Sequence, residues 1–107
     1  MKISVVVVGN LQTNCYILER GNSVFIIDPG DNAELIASNI SSDKRVLGII
    51  ITHSHDDHTG ASLDLLNKYN TRLYNGHNLS EGNHVIENFS FDVIKTPGHM
   101  DDSISIY

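Results

Sequence analysis

The segment VLGIIITHSHDDHTG, residues 46–60, joins an apolar run to a short cluster of side chains that can bind metals. The run from Val46 to Ile51 is typical of a strand buried on both faces, as parallel strands usually are. The cluster, H-x-H-x-D-H, follows directly over residues 53–58. In open α/β sheets, binding sites form beyond the carboxyl ends of strands, so we predict a functional loop at this point.

Four side chains of this cluster are suitable ligands for one or two divalent ions: His53, His55, Asp57 and His58. Imidazole nitrogen and carboxylate oxygen both bind zinc at about 2.0–2.2 Å. The alternative is a solvated loop with incidental histidines. We disfavour it because four adjacent polar groups would then crowd a strand end with no gain in packing. The pattern therefore predicts a zinc site, with iron or manganese as alternative metals.

His99 follows Thr96-Pro97-Gly98, a stiff turn that can aim one side chain. Taken alone it would indicate a surface histidine. Beside the first cluster it supplies a third imidazole, and three histidines with a water are a known open arrangement for catalytic zinc. We therefore predict that His99 completes the site.

The rest of the chain predicts an α/β fold. Gly21-Asn22 indicates a hairpin turn, and Asp28-Pro29-Gly30 ends the return strand. Asp31 or Asn32 is predicted to cap a first helix. Apolar spacing predicts strands over residues 3–8, 15–19, 24–27, 46–51, 72–74, 89–93 and 103–107, and helices near residues 35–40 and 63–69; the first strand, which is continuous and β-branched, is predicted to be buried.

Bulk properties narrow the function. The chain has 107 residues and a formal net charge of −6. No basic stripe is present, which disfavours nucleic-acid binding. No apolar run approaches the roughly 20 residues of a membrane helix, and the N-terminus does not resemble a signal peptide. A cytoplasmic location and a buried, reduced thiol at the lone Cys15 are the resulting expectations.

The sequence closes inside a strand-like segment, and an open strand edge is a liability. Residues 1–107 are therefore interpreted as the first half of a larger domain, or as a protein that needs a partner. Two copies pairing through the edge after Ile104 would form a homodimer, which is the alternative to a longer chain.

The chain resembles the metallo-β-lactamase superfamily, and within it the small hydrolases similar to hydroxyacylglutathione hydrolase (glyoxalase II). The resemblance rests on TNCYIL at 13–18, IDPG at 27–30, THSHDDHTG at 52–60 and TPGH at 96–99. It spans nearly the whole chain in the family's order. It implies the first half of an αββα sandwich.

The resemblance also implies roles for individual residues. His53, His55 and His99 would hold a first metal, and Asp57 and His58 a second. Asp28 would support the metal loop from outside the ligand set. The family's bridging aspartate and further histidine, which come from the second half of the domain, have no counterpart here, and MDDS at 100–103 replaces the usual Thr-Pro-Gly-Ser. His77 and His84 lie outside the motif, and His84 is predicted to be exposed.

The resemblance implies hydrolysis of a small-molecule substrate, with a metal-bound hydroxide oriented by Asp57 attacking a thioester or ester. A second interpretation is an iron-dependent enzyme similar to the persulfide dioxygenases of the same superfamily. A third is a non-catalytic half-domain that binds metal. The sequence leaves open whether the 107 residues act alone.

Overall fold

The computed structural model describes residues 2–9, 13–52, 60–76, 78–87, 89–95 and 104–106. Within these ranges the fold is mixed α/β, as predicted. The elements, in chain order, are β1 (Lys2–Val8), β2 (Thr13–Arg20), β3 (Ser23–Ile27), α1 (Ala33–Ser38), β4 (Arg45–Ile50), α2 (Gly60–Tyr69), β5 (Leu73–Tyr74), β6 (Gly82–Ile86), β7 (Phe89–Lys95) and β8 (Ile104–Ile106).

The first five strands form one sheet in the order β1-β2-β3-β4-β5. β1, β2 and β3 are antiparallel neighbours, and the predicted hairpin turn at Gly21-Asn22 is confirmed between β2 and β3. β3, β4 and β5 run parallel, with α1 and α2 in the two crossovers. This connectivity follows from geometry, because parallel neighbours need a long crossover, usually a helix.

The two helices cover one face of this sheet. Ile36 of α1 and Leu65 of α2 are fully buried against sheet residues such as Ile17, Ile26 and Ile49. The predicted capping of α1 is confirmed at Asn32, whose side chain accepts a hydrogen bond from the Leu35 backbone N–H at 3.2 Å. The core on this face of the sheet is the larger of the two apolar cores.

A second, three-stranded sheet of order β6-β7-β8 packs on the opposite face. Phe25 of β3 is the centre of this second core, with ring centroids 4.9 Å from Phe89 and 6.2 Å from Phe91. Glycine is required at position 48 of β4 because a Cβ atom there would lie 2.6 Å from the Tyr74 ring and 3.0 Å from the Phe25 ring. The two sheets therefore pack closely where β3, β4 and β5 lie.

The prediction that the first strand is buried is wrong for one of its faces. Val6 and Val8 are buried, but Ile3, Val5 and Val7 are 53–59% exposed. β1 is an edge strand, and the three-stranded sheet does not cover it. The continuous β-branched run therefore predicted the strand correctly, but it did not predict that one face of the strand is exposed.

β6 was not predicted from the sequence. Its residues, GNHVI, do not alternate between apolar and polar, and the apolar Val85 is exposed, so no sequence pattern marks this strand. His84 was expected to be exposed, but it is half-buried: its Nε2 lies 2.6 Å from the Ser80 carbonyl oxygen and its ring stacks on Phe91. Pairing with β7, rather than local sequence, creates this strand.

The interpretation of Cys15 as a buried thiol is confirmed, because its side chain is fully buried in the helix-side core. Burial, and secondarily the negative charge of Asp28, raises the pKa of Cys15 to about 12 from 9.0. No helix within the described residues is both long and apolar enough to cross a membrane.

A testable consequence is that Cys15 resists alkylation in the folded protein. At pH 8 a thiol of pKa about 12 is roughly 10⁻⁴ ionised, against about a tenth for an unperturbed thiol, and only the thiolate reacts. We expect labelling by iodoacetamide to be at least about 1,000-fold slower in native protein than in guanidinium. Comparable rates in the two states would contradict the buried position.

Because the pKa of Cys15 is raised in the folded state, the free energy of unfolding should fall as pH rises from 9 toward 12.

Candidate metal centre

The carboxyl ends of β3, β4 and β5 meet at one edge of the five-stranded sheet, because the three strands are parallel. The Asp28 backbone N–H donates to the Ile50 carbonyl at 2.9 Å, and the Ile51 N–H donates to the Tyr74 carbonyl at 2.8 Å. The sheet is therefore hydrogen-bonded up to the residue before Thr52. The H-x-H-x-D-H segment starts from this edge, where open α/β sheets place their sites.

Asp28 holds the start of that segment. Its Oδ1 accepts a hydrogen bond from the Thr52 backbone N–H at 2.8 Å, and its Oδ2 accepts one from the Thr52 hydroxyl at 2.5 Å. Hydrogen bonds to an ionised carboxylate are shorter and stronger than neutral ones. Both carboxylate oxygens are thus engaged by the residue that precedes His53. The implied role of Asp28 as a support of the metal loop would act through this contact, and the role itself stays a prediction.

The backbone at Asp28 is shaped for the same contact. Its φ is +55°, a left-handed conformation that aspartate and asparagine tolerate better than most residues. Asp28 is only 8% exposed, and Pro29 behind it is fully buried. Burial removes competing water, which strengthens the hydrogen bonds to Thr52. The Asp-Pro-Gly turn is therefore a fixed part of the sheet edge.

A second connection reaches this edge from β7. Lys95, its last residue, donates through Nζ to the carbonyl of Gly76 and, at 2.7 Å, to that of Leu79. These carbonyls belong to the turn that follows β5, where Asn75 and Asn78 also bond to each other. His99 lies four residues beyond Lys95, which limits its distance from Lys95 to about 14 Å along an extended chain. The stretches of chain that follow Thr52 and Lys95, which carry the two parts of the motif, therefore start from the same end of the molecule.

The five predicted ligands lie outside the described residues: His53, His55, Asp57, His58 and His99. Asp101, Asp102 and His77 do as well. Within the described ranges no group of three or more His, Cys, Asp or Glu side chains could hold a metal ion. The ligand set thus stays a prediction, while the hydrogen bonds between Asp28 and Thr52 are an observation.

Lys95 was not singled out from the sequence. The available signal was a lysine that ends the alternating strand Phe89–Lys95, directly before the Thr-Pro-Gly turn. A lysine at a strand end is usually solvated, so this signal is weak. Only the packing of the turn after β5 against β7 shows that its ammonium group has two carbonyl partners.

A groove of about 690 Å³ lies elsewhere, between α1 and α2. Its lining is partly apolar and includes Ala33, Ala37 and Tyr69, with Glu34 and Lys68 as charged neighbours. It includes neither Asp28 nor Thr52. Among the described residues, its lining thus shares neither of the two side chains that meet at the sheet edge.

Comparison with known proteins agrees with the family resemblance seen in the sequence. The family model described as "Metallo-beta-lactamase superfamily" matches residues 8–82. A hydroxyacylglutathione hydrolase of Hahella chejuensis is 33% identical over 78% of this chain and 36% of its own length. Three curated relatives are matched over 33%, 36% and 65% of their lengths, so the chain spans only part of each.

Two solved structures extend the comparison. The crystal structure of the BLEG-1 B3 metallo-beta-lactamase matches with a TM-score of 0.85 at 25% identity, over 99% of this chain and 66% of that one. The crystal structure of TTHA1623 in a di-iron-bound form matches with a TM-score of 0.78 at 28% identity, over 97% of this chain and 66% of that one. The fold is thus shared along almost the whole length of this chain.

Proposed function

Because the chain belongs to the metallo-β-lactamase superfamily, we propose that it carries the histidine- and aspartate-rich part of a metallo-hydrolase active site that cleaves a thioester or ester. The observation that carries this proposal is the double hydrogen bond from Thr52 to Asp28. It fixes the start of the H-x-H-x-D-H segment at the carboxyl edge of a parallel sheet, where a metal loop needs a rigid support.

The donor set fits a divalent metal. His53, His55 and His99 supply three imidazoles, and Asp57 and His58 supply a carboxylate and a further imidazole. Zinc accepts nitrogen and oxygen ligands of these types. Both oxygens of Asp28 accept hydrogen bonds from Thr52, and we assign Asp28 the role of a positioning residue outside the ligand set. A divalent metal bound here would polarise a carbonyl group and lower the pKa of water.

The chain's own residues have separate tasks in this proposal. The Asp57 carboxylate accepts a hydrogen bond from the attacking water and orients it toward the carbonyl carbon. The histidines bind the metal. The loop that carries them is anchored by Asp28 through Thr52. The turn after β5, which Lys95 holds, forms a wall beside the same sheet edge.

The substrate class rests on relatives. Curated proteins named hydroxyacylglutathione hydrolase match at 33% and 36% identity, which supports an acylglutathione thioester. Because the chain spans about a third or less of these proteins, the proposal concerns the active site to which the chain contributes. A second candidate is an iron-dependent enzyme similar to the persulfide dioxygenases. The di-iron-bound form of TTHA1623 favours it, because a similar fold holds iron there.

The test is hydrolysis of an acylglutathione thioester after loading with zinc, compared with an alkyl ester and with a β-lactam. We expect thioester turnover to fall at least about 100-fold in Asp57→Asn, because the attacking water loses its carboxylate partner. Asp56→Asn, the neighbouring substitution outside the ligand set, should retain turnover. Equal losses in the two variants would contradict the assigned role of Asp57. If the chain binds metal but hydrolyses none of the three substrates, the interpretation as a non-catalytic half-domain is favoured.

A further inference from the structure

A mostly polar groove of about 570 Å³ lies at the amino ends of β4 and β5, at the opposite end of these strands from the candidate metal centre. The described residues that line it include three of the chain's seven Lys and Arg residues: Lys44, Arg45 and Arg72. Glu87 is the one acidic side chain in this described lining. Three cations and one carboxylate give this basic groove a local charge of +2, although the chain has a net charge of −6.

Arg45 and Arg72 reach the basic groove from neighbouring strands. Arg45 is the first residue of β4, and its backbone N–H donates to the Asn22 carbonyl at 2.7 Å. Arg72 directly precedes β5, and its carbonyl accepts a hydrogen bond from the Ile49 N–H at 2.9 Å. The parallel register therefore puts Arg72 beside Gly48, which makes the distance between the Cα atoms of the two arginines roughly 11 Å. Both arginines thus have a fixed backbone.

One anionic oxygen already lies in the basic groove. Glu87 Oε1 is 2.8 Å from Arg45 Nη2, and the two side chains are 42% and 71% exposed. Glu87 follows Ile86 in the short connection to Phe89, with a φ of +51° that Asn, Asp and Gly adopt more readily. An exposed ion pair stabilises less than this conformation costs a glutamate. Stability therefore does not explain the carboxylate on Arg45, which instead marks a position that accepts an anion.

Arg72 has no such carboxylate beside it. Its side chain is exposed, and it forms no ion pair or side-chain hydrogen bond with any other residue that the structure describes. Leu73 packs in the helix-side core and Tyr74 in the inter-sheet core. Because side chains alternate along a strand, Arg72 lies on the same side of the sheet as Tyr74 and the pair of Arg45 and Glu87. The two guanidinium groups therefore face one groove.

We propose that the basic groove binds the diphosphate group of a small molecule between Arg45 and Arg72. A ligand oxygen replaces the Glu87 carboxylate on Arg45, and a second phosphate group pairs with Arg72. Lys44 Nζ donates to the Gly21 carbonyl at 2.8 Å, which leaves further ammonium donors for the ligand. The groove has the volume of a small-molecule site, and guanidinium groups bind phosphate oxygens through two parallel hydrogen bonds.

The spacing of the two arginines favours a ligand with two charged groups. Because their Cα atoms lie roughly 11 Å apart, two linked phosphate groups can pair with one guanidinium each without both side chains bending toward one point. A dicarboxylate also carries two charged groups but offers fewer acceptor oxygens, so it serves as the comparison ligand. The basic groove and Thr52 lie at opposite ends of β4, so binding here depends neither on a metal nor on hydrolysis.

The test is a titration of the ¹⁵N-labelled chain with inorganic diphosphate, at an ionic strength of about 0.1 M, followed by the backbone amide NMR signals. The signals of Arg45 and Arg72 report on the basic groove, and those of Gly30 and Thr52 report on the carboxyl edge, where a bound metal would attract the same probe. We expect saturable shifts at the groove with a Kd below about 1 mM, and at least about tenfold weaker binding of succinate. Shifts confined to the carboxyl edge, or equal affinity for succinate, would overturn the proposal.

Two variants should change the diphosphate affinity in opposite directions. Arg72→Gln removes a guanidinium group and should weaken binding at least about tenfold. Glu87→Gln removes the competing carboxylate and should strengthen binding about two- to fivefold. Lys2→Gln, an exposed lysine on β1 at the far edge of the five-stranded sheet, is the matched control and should change the affinity less than about twofold. Unchanged affinity in Arg72→Gln, or unchanged or weaker binding in Glu87→Gln, would contradict the assigned contacts and overturn the proposal.

Discussion

Phe25→Ala is expected to lower the free energy of unfolding by about 3–5 kcal/mol, which is the usual cost of removing a fully buried aromatic side chain. Phe25 is 1% exposed and contacts rings from both sheets: Tyr74 on one side, Phe89 and Phe91 on the other. Small domains have only about 5–15 kcal/mol of stability in total. The variant should therefore unfold at a much lower urea concentration than the wild type.

The measurement is urea unfolding followed by circular dichroism, with Val85→Ala as the matched control. Val85 lies on β6 of the second sheet but is 67% exposed, so its truncation should change the unfolding free energy by less than about 0.5 kcal/mol. A loss below about 1 kcal/mol for Phe25→Ala would mean that the two sheets do not pack through this ring.

Asp28→Gly is expected to weaken zinc binding about 10- to 100-fold, the range found when a group that orients metal ligands is removed. The substitution removes the carboxylate that accepts from the N–H and hydroxyl of Thr52. Glycine is the cleanest replacement because the φ of +55° at this position costs it nothing, so the loss cannot be assigned to backbone strain.

The matched control is Asp28→Asn, measured in the same competition assay against a chelating dye. Asparagine also tolerates the left-handed conformation, and its amide oxygen can still accept from the Thr52 N–H. It should lose less than about tenfold in affinity, between the wild type and the glycine variant. Wild-type affinity in Asp28→Gly would show that the hydrogen bonds to Thr52 do not position the metal ligands.

Local sequence predicted most of the elements because their signals are local. The turns at Gly21-Asn22 and Asp28-Pro29-Gly30, the cap at Asn32 and the apolar run of β4 each depend on neighbouring residues alone. The surroundings of β1 did not follow from its sequence, because the exposure of Val5 depends on how far a distant sheet extends. β6 was missed for the same reason, since its pairing with β7 gives it the strand conformation.

The candidate site divides in a similar way. The spacing of residues 53–58 predicted a metal loop at the carboxyl end of a strand, and the structure shows the end of that strand held by Asp28. The role of Lys95 could not be predicted, because its two carbonyl partners come from a turn that lies 16 to 19 residues earlier in the chain. Contacts of this kind depend on tertiary packing and leave no periodic pattern in the sequence.

The most direct test of the metal site is elemental analysis of the purified chain after incubation with zinc and iron and removal of unbound metal, beside a His53→Ala, His55→Ala double variant. The account predicts about one or two equivalents of metal in the wild type and less than about a tenth of an equivalent in the double variant. The element retained decides between the hydrolase and the iron-dependent alternative. Metal-free wild-type protein, or equal metal in both proteins, would contradict the assignment of these histidines as ligands in this chain.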